Sequence, residues 1–467
     1  MKQLLAYCLS IILCVSFTGC MENYLDLYPE DKITSASFPE NESDIKLLLN
    51  GVYAQLREKE VYNQGLFGFG ITDGATPNAF NWGTDEVFNK LGAGRLSSSD
   101  GGVVTYRWKR CYEIISRANY LLACMDLVDL SEEAKAKYSG ETHFLRGLAY
   151  SVLAETYGGV PIILTNISTE EARSLKRASL EETWQQALDD YEVAITNLGV
   201  DAPEPGRATK GAALGMKMRA YLYQGKYKEV LACVEQIDAL KKYGLFHSYE
   251  GLFDPANENN KEVLFDIQYI EGENSQGSYI DQYCGTGTGS WTRGSRYVPT
   301  DDLVAAYETI DGSPVDPENP YENRDPRLGF TAVLPGSYFL GYRFPNYLYP
   351  GGAFNHAGNR LKHLSTRKYR IQDESKLPPS GQSYINDIIL RYADVLLSKA
   401  EAIIETNGNV ADAIAILNRI RTERDDVKIS LLPTSMSREE AREKVRHERR
   451  IELALEGRYW LSLIHIS

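Results

Sequence analysis

The chain of 467 residues holds 64 acidic against 50 basic residues, a formal net charge of −14, with 43% hydrophobic residues. That acidic balance excludes nucleic acid and anionic lipid surfaces as natural partners. The length is sufficient for a large core or two lobes.

At the N-terminus, Met1-Lys2 supplies one positive charge, and Leu4 to Phe17 is apolar apart from Tyr7, Ser10 and Ser16. This run is too short for a comfortable membrane span but fits the apolar region of a secretory signal. Thr18 and Gly19 are small and directly precede Cys20, the order a lipoprotein signal peptidase requires. Residues 1–19 are therefore expected to be a signal peptide and Cys20 a lipidated N-terminus, anchored to a membrane rather than spanning it. An ordinary signal with an incidental cysteine is the alternative. No second long apolar run follows.

Residues 20–102 read as a tether and a loop-rich segment, and "GLFGFGITDGATPNAFNWGTDE" within it is rich in glycine with aromatics interleaved. Helical periodicity then dominates residues 103–245. Val104 to Met125 places Trp108, Cys111, Ile115, Ala118 and Leu122 on one face, which assigns Trp108 to the core. Ser131-Glu132-Glu133 opens a helix that runs to Tyr157 and stops at Gly158-Gly159 before Pro161. These two should pack as an antiparallel pair. Leu180 to Leu198 is a third helix. "AALGMKMRAYLYQGKYKEVLACVEQI" then sets small and apolar residues on two helices joined at Gly225. "YADVLLSKAEAIIETNGNVADAIAILNRI" repeats the pattern around Gly408, within a second helical part at 384–460. Each resembles a tetratricopeptide hairpin. Because the copies are not in tandem, helix pairs must come together around an insertion.

That insertion, residues 246–383, is rich in Gly, Pro, Asn and Tyr and carries short strand-like pieces such as Val263 to Ile270. Loops of this length are usually functional or disordered, and the aromatic content argues against disorder. The fold class is thus mainly α, with scattered helical hairpins and a large irregular insertion containing short strands.

Little in the residues points to catalysis. "GTGTGS" at 285–290 lacks the GxxxxGK[ST] pattern of a phosphate cradle, and no nucleophile elbow or zinc motif occurs. No cofactor or metal is called for. Cys111, Cys124, Cys233 and Cys284 remain beyond the signal and Cys20; Cys111 and Cys124 share one helix about 20 Å apart, beyond disulfide reach. Buried structural thiols are expected, with a disulfide from Cys284 as the alternative. The 31 tyrosines against 14 phenylalanines are more informative, since tyrosine suits surfaces apolar on the face and polar at the tip. Sugar rings present such surfaces. Candidate ligand residues are Asp73, Asn78, Phe80 and Trp82 in the first loop segment, and Tyr283, Trp291, Arg293, Tyr297 and Tyr338 in the second.

Six stretches, in order behind the Gly-Cys signal, carry a resemblance: "HFLRGLAYSVLAETYGGVP" (143–161), "GRATKGAALGMKMRAYLYQGKY" (206–227), "NRDPRL" (323–328), "LRYADVLLSKAEA" (390–402), "LNRIR" (417–421) and "ERRIELALEGRYW" (448–460). The chain resembles the SusD/RagB family of Bacteroidetes outer-membrane lipoproteins. The resemblance implies a surface-exposed nutrient binder, not an enzyme, lipid-anchored in the outer membrane and seated as a lid on a SusC-like TonB-dependent transporter. It implies an oligosaccharide ligand, or a peptide in a RagB-like importer. A tetratricopeptide-like scaffold without saccharide affinity is the alternative from another class. The family's binding aromatics follow no fixed motif, so the candidates rest on composition and position. After Trp460 the chain departs from the family pattern with "LSLIHIS" (461–467), expected to be a truncated or non-family end.

Overall fold

The computed structural model describes residues 38–58, 73–81, 90–97, 99–101, 103–271, 277–278, 280, 297–344, 348, 364–379 and 382–461. Cys20, Cys284 and residues 462–467 lie outside them. The structure is mainly helical, with eight short strands in four two-stranded antiparallel pairs among the described residues.

The segment expected to be tether and loop contains a helix, α1 (Glu42–Ala54). Its signals are local: the Asn41 side chain accepts from the Asp44 N–H, Glu42 and Asp44 sit in the first turn, and Ile45, Leu49 and Val52 recur at helical spacing to form the buried stripe. The stripe lies against α2 (Val103–Cys124) and α3 (Glu132–Tyr157), the expected antiparallel pair. Trp108 of α2 is packed against the core, edge-on to Tyr157 at 5.2 Å between ring centroids. α3 begins on Ser131, whose hydroxyl caps the Ala134 N–H, and ends at Gly158 with φ +74. Gly147 of α3 lets α4 (Leu180–Asn197) approach closely: a Cβ there would stand 3.0 Å from the Tyr191 ring.

The hairpins form as their patterns imply. α5 (Lys210–Tyr223) turns through Gly225, φ +66, into α6 (Tyr227–Ala239). α7 (Tyr392–Glu405) turns into α8 (Val410–Thr422), but here the left-handed step falls on Asn407, φ +59. Gly408 serves close approach instead, since a Cβ would meet Ile403 at 2.9 Å. α6 packs on α7, so the two hairpins adjoin in space although the insertion separates them in sequence. α9 (Arg438–Glu452), opened by a Ser437/Glu440 capping box, covers α7 and α8.

Two strands close the neck of the insertion. β2 (Val263–Ile267), near its start, pairs antiparallel with β8 (Asp387–Arg391), just past its end, and β8 runs directly into α7. Within the insertion, two short helices (Asp301–Ala306 and Pro326–Thr331) interrupt the irregular chain.

Cys111, Cys124 and Cys233 are free and buried, and burial pushes the Cys233 thiol up to about 11. The tyrosine excess has a second destination besides the surface. Tyr150, Tyr191, Tyr249 and Tyr307 are buried, and each hydroxyl has an internal partner: the Ile163 carbonyl at 2.9 Å, Ser151 Oγ at 2.9 Å, the Glu452 carbonyl at 3.0 Å and Thr331 Oγ1 at 3.0 Å. A core that meets the hydroxyl's hydrogen-bonding need accommodates tyrosine as readily as phenylalanine.

Candidate functional site

The two loop segments singled out by composition meet in one strand pair. β1 (Ala79–Asn81) pairs antiparallel with β3 (Tyr297–Pro299), in the register Ala79↔Pro299, Phe80↔Val298 and Asn81↔Tyr297. Asn78 adds a carbonyl that accepts from the Thr300 N–H at 3.1 Å. The chain leaves β1 at Asn81 and enters β3 at Tyr297. The stretches carrying Trp82 on one side, and Tyr283, Trp291 and Arg293 on the other, therefore join the described body at the same end of this pair. Those four side chains lie outside the described residues.

From β3 the irregular half continues as a chain of small antiparallel units. Thr366 Oγ1 donates to the Tyr297 carbonyl at 2.7 Å and ties in β7 (Ser365–Thr366), which pairs with β4 (Ala332–Val333). A tight turn leads from β4 to the hairpin of β5 (Tyr338–Phe339) and β6 (Tyr342–Arg343). Strand alternation sends Phe339 into a small core with Val333, Leu340 and Phe344, and leaves Tyr338 66% exposed.

The described candidates divide by environment. Phe80, 39% exposed, and Tyr338 present rings at the surface. Tyr297 is fully buried, and its ring faces the interior because β3 is covered by its neighbours, β7 among them. Asp73 and Asn78 are buried as well and hold the C-terminal chain. Asp73 accepts from the Tyr459 N–H at 3.0 Å and the Gly457 N–H at 3.2 Å. Asn78 Oδ1 accepts from Arg450 Nε at 2.7 Å, and that guanidinium lies 5.1 Å from the Tyr459 ring centre. These two polar residues position β1 on the end of α9. Their partners lie more than 370 residues away, a relation that no local pattern displays.

Burial pushes the Asp73 carboxyl up to about 7, against the opposing pull of its two N–H donors. An unfolded aspartate releases its proton near pH 3.9, about three units lower. This group's favourable contribution to stability is thus fully present below about pH 4 and is lost as pH rises through about 7. Asp73→Asn keeps a carbonyl acceptor but cannot ionise. Its denaturant midpoint is expected to fall less than that of the wild type between pH 4 and 7, and identical pH profiles would refute the assignment.

Behind the strand pair lies a buried network of ion pairs that draws on four of the quoted stretches. Arg327 reaches Asp325 at 2.8 Å, Glu448 at 2.7 Å and Glu452 at 2.9 Å. Arg391 reaches Glu262 at 2.8 Å, Glu452 at 2.6 Å and Glu456 at 2.7 Å. Arg424 binds Glu262 and Glu452, both at 2.8 Å, and Arg421 binds Glu448 at 3.0 Å. Burial works against ionisation of Glu452, but Arg424, Arg391 and Arg327 outweigh it and hold the carboxyl far below the usual range. Lys368, buried beside Glu456 at 2.7 Å, is lowered by burial to about 8. The network joins the insertion, through Arg327 and Lys368, to the helical part.

Helical hairpins that carry inserted loops, with the exposed ring of Phe80 where two distant loops pair, make a distinct class of mainly helical fold. Comparison with known proteins gives the class a family. The profile described as SusD family matches residues 261–464, and a related one described as starch-binding associating with outer membrane matches residues 23–222. A SusD-like protein P25 of Formosa agariphila is 25% identical over 97% of this chain and 87% of its own length. A solved SusD-like carbohydrate binding protein of Bacteroides fragilis superposes with a TM-score of 0.80 at 26% identity, covering 91% of this chain and 86% of that one. A laminarin binding SusD-like protein shares the fold, with a TM-score of 0.72 at 21% identity over 91% of this chain and 92% of its own. The chain belongs to the SusD/RagB family.

Proposed function

We propose that the protein captures oligosaccharides at the outer face of the outer membrane, held there by lipid on Cys20, and delivers them to a SusC-like TonB-dependent transporter. The observation that carries this reading is the β1–β3 pair. It brings together two aromatic-rich loop segments from distant parts of the chain and leaves Phe80 exposed within it. The SusD/RagB family is one of carbohydrate-binding proteins, and the profile over the N-terminal part is described by starch binding and by association with the outer membrane. No described helix is long and apolar enough to cross a membrane.

In this reading Phe80, Trp82, Trp291 and Tyr338 supply platforms for sugar rings, and Asp73, Asn78 and Tyr297 hold the platforms' supports. Calorimetry with a panel of plant, host and microbial oligosaccharides tests it. Phe80→Ala, Trp82→Ala and Trp291→Ala should each weaken binding by about ten- to a hundredfold with the fold intact, the loss of one stacking anchor being about 1–3 kcal/mol. Unchanged affinity in all three variants would move the site elsewhere. A wild type that binds peptides and no glycan would refute the saccharide reading.

A further inference from the structure

Away from the β1–β3 pair, two adjoining cavities open where the loop between α4 and α5 faces β2. The first encloses about 490 Å³ between Asp201–Arg207, Lys242, Tyr243 and β2. The second encloses about 310 Å³ between the end of α1, the same loop and the outgoing end of β2. Phe265 and Asp266 line both. Each volume falls in the range of about 300–1,000 Å³ typical of small-molecule sites.

Asp266 is the unusual group. It is 4% exposed, it accepts from Gln268 Nε2 at 2.6 Å and Asn386 Nδ2 at 3.0 Å, and no cation among the described residues lies within ion-pair distance. Its own backbone N–H also bears on the carboxylate, which with about four acceptor positions keeps capacity for a further donor. Burying a carboxylate without a cation or a full set of donors is costly. Burial, partly offset by the two amides and its own backbone N–H, pushes its carboxyl up to about 6.

The surrounding walls narrow the chemistry of what could complete it. Arg207 pairs with Glu204 at 3.2 Å and Lys242 with Asp201 at 2.9 Å, so the rim carries both signs, already matched. A cationic ligand would face Arg207, Lys242 and Lys261 beside the acids Asp201, Glu204 and Asp266, and an anionic one would meet those same acids. A neutral donor-rich ligand meets neither obstacle. Tyr243 adds an aromatic wall, its hydroxyl 3.2 Å from Thr209 Oγ1. Gln268 lines the second cavity, bonded to Asn259 and Asp266 and pressed on Gly206, whose φ of +79 and missing Cβ make room: a Cβ there would lie 2.3 Å from Gln268 Cγ.

We propose that these cavities form a second saccharide site, separate from the loop aromatics, in which Asp266 accepts hydrogen bonds from the hydroxyls of a short neutral sugar. The proposal rests on the reading of the protein as a glycan binder and assigns it a further point of contact where the helical part meets the start of the insertion.

Hydrogen exchange read peptide by peptide distinguishes the two claims. The full chain is incubated with maltotriose, laminaritriose, xylotriose or mannotriose in excess. With at least one probe, amides of residues 201–209 and 259–268 should gain protection, apart from any gained at 73–81 and 297–301. Asp266→Asn, which keeps the side chain's shape, should raise the sugar concentration for half-protection of these peptides about tenfold or more, as expected for a hydrogen bond to a charged group. Ala202→Leu, on the loop wall and outside the polar network, should block the first cavity without disturbing the fold. Protection confined to 73–81 and 297–301 would overturn the second site and leave the glycan reading standing. Protection that persists unchanged in both variants would overturn the assignment to Asp266 and its cavity. No protection anywhere with any probe would overturn both claims.

Discussion

Replacing Ala400 with glutamate is expected to abolish cooperative folding of the helical part. Ala400 is fully buried in α7, on the helix that joins the two hairpins and lies under α9. Ala393, Leu396 and Leu397 are buried along the same helix. A carboxylate forced among these apolar side chains costs several kcal/mol even after relaxation, against a total stability of about 5–15 kcal/mol for a typical domain. Leu396→Ala, which only removes volume, should cost about 2–5 kcal/mol and leave a cooperative transition at lower temperature. Thermal melting followed by circular dichroism reads both. Melting curves unchanged in either variant would show that this segment is not the core of the assembly.

The hairpins were legible because their information is local. Small and apolar residues at helical spacing, with a turn residue between, specify α5–α6 and α7–α8 regardless of what surrounds them. Their adjacency was legible only as a requirement, that something must bring them together. What does so is the β2–β8 pair, built from residues more than 100 positions apart, and the ion-pair network, whose Arg391–Glu262 and Arg327–Glu448 bonds span 129 and 121 positions. α1 shows the opposite case: Asn41, Ile45, Leu49 and Val52 carried a helix signal in plain view, within a stretch whose glycine-rich neighbour dominates its composition.

Charge was the hardest property to read. "REEAREKVRHERRIE" in α9 has the composition of a solvated helix, yet Glu448, Arg449 and Glu452 are buried. A single sequence shows charges but not their partners, and only the tertiary pairing of Arg327, Arg391, Arg421 and Arg424 with those glutamates makes burial tolerable. The same blindness affected the candidate site. Phe80 and Tyr338 sit where an aromatic-surface argument places them, whereas the tyrosine count could not separate Tyr338 from Tyr297, since both types of position accept a tyrosine once the hydroxyl's surroundings suit it.

Glu452→Ala is expected to destabilise the protein by about 3–5 kcal/mol at neutral pH, the cost of leaving buried charge uncompensated. Its carboxylate, fully buried, touches Arg327, Arg391 and Arg424 at 2.6–2.9 Å, and removing it leaves three guanidiniums facing fewer anions. Because the folded carboxyl is held far below its unfolded value near 4.3, its stabilising contribution is present above that value and is lost as pH falls through the folded one. The gap between wild type and variant should therefore be widest near pH 7 and narrow on acidification below about pH 4. Denaturant midpoints at several pH values measure it, and coincident midpoints at pH 7 would sink the argument. The effect should also travel. Four residues after Glu452, Glu456 binds Arg391 and Lys368, and the next residues, Gly457 and Tyr459, donate the backbone bonds that hold Asp73 at the approach to β1. Amide exchange at residues 73–81 should accordingly quicken in Glu452→Ala, while the α5–α6 hairpin, which lies outside the network, keeps its protection until global unfolding.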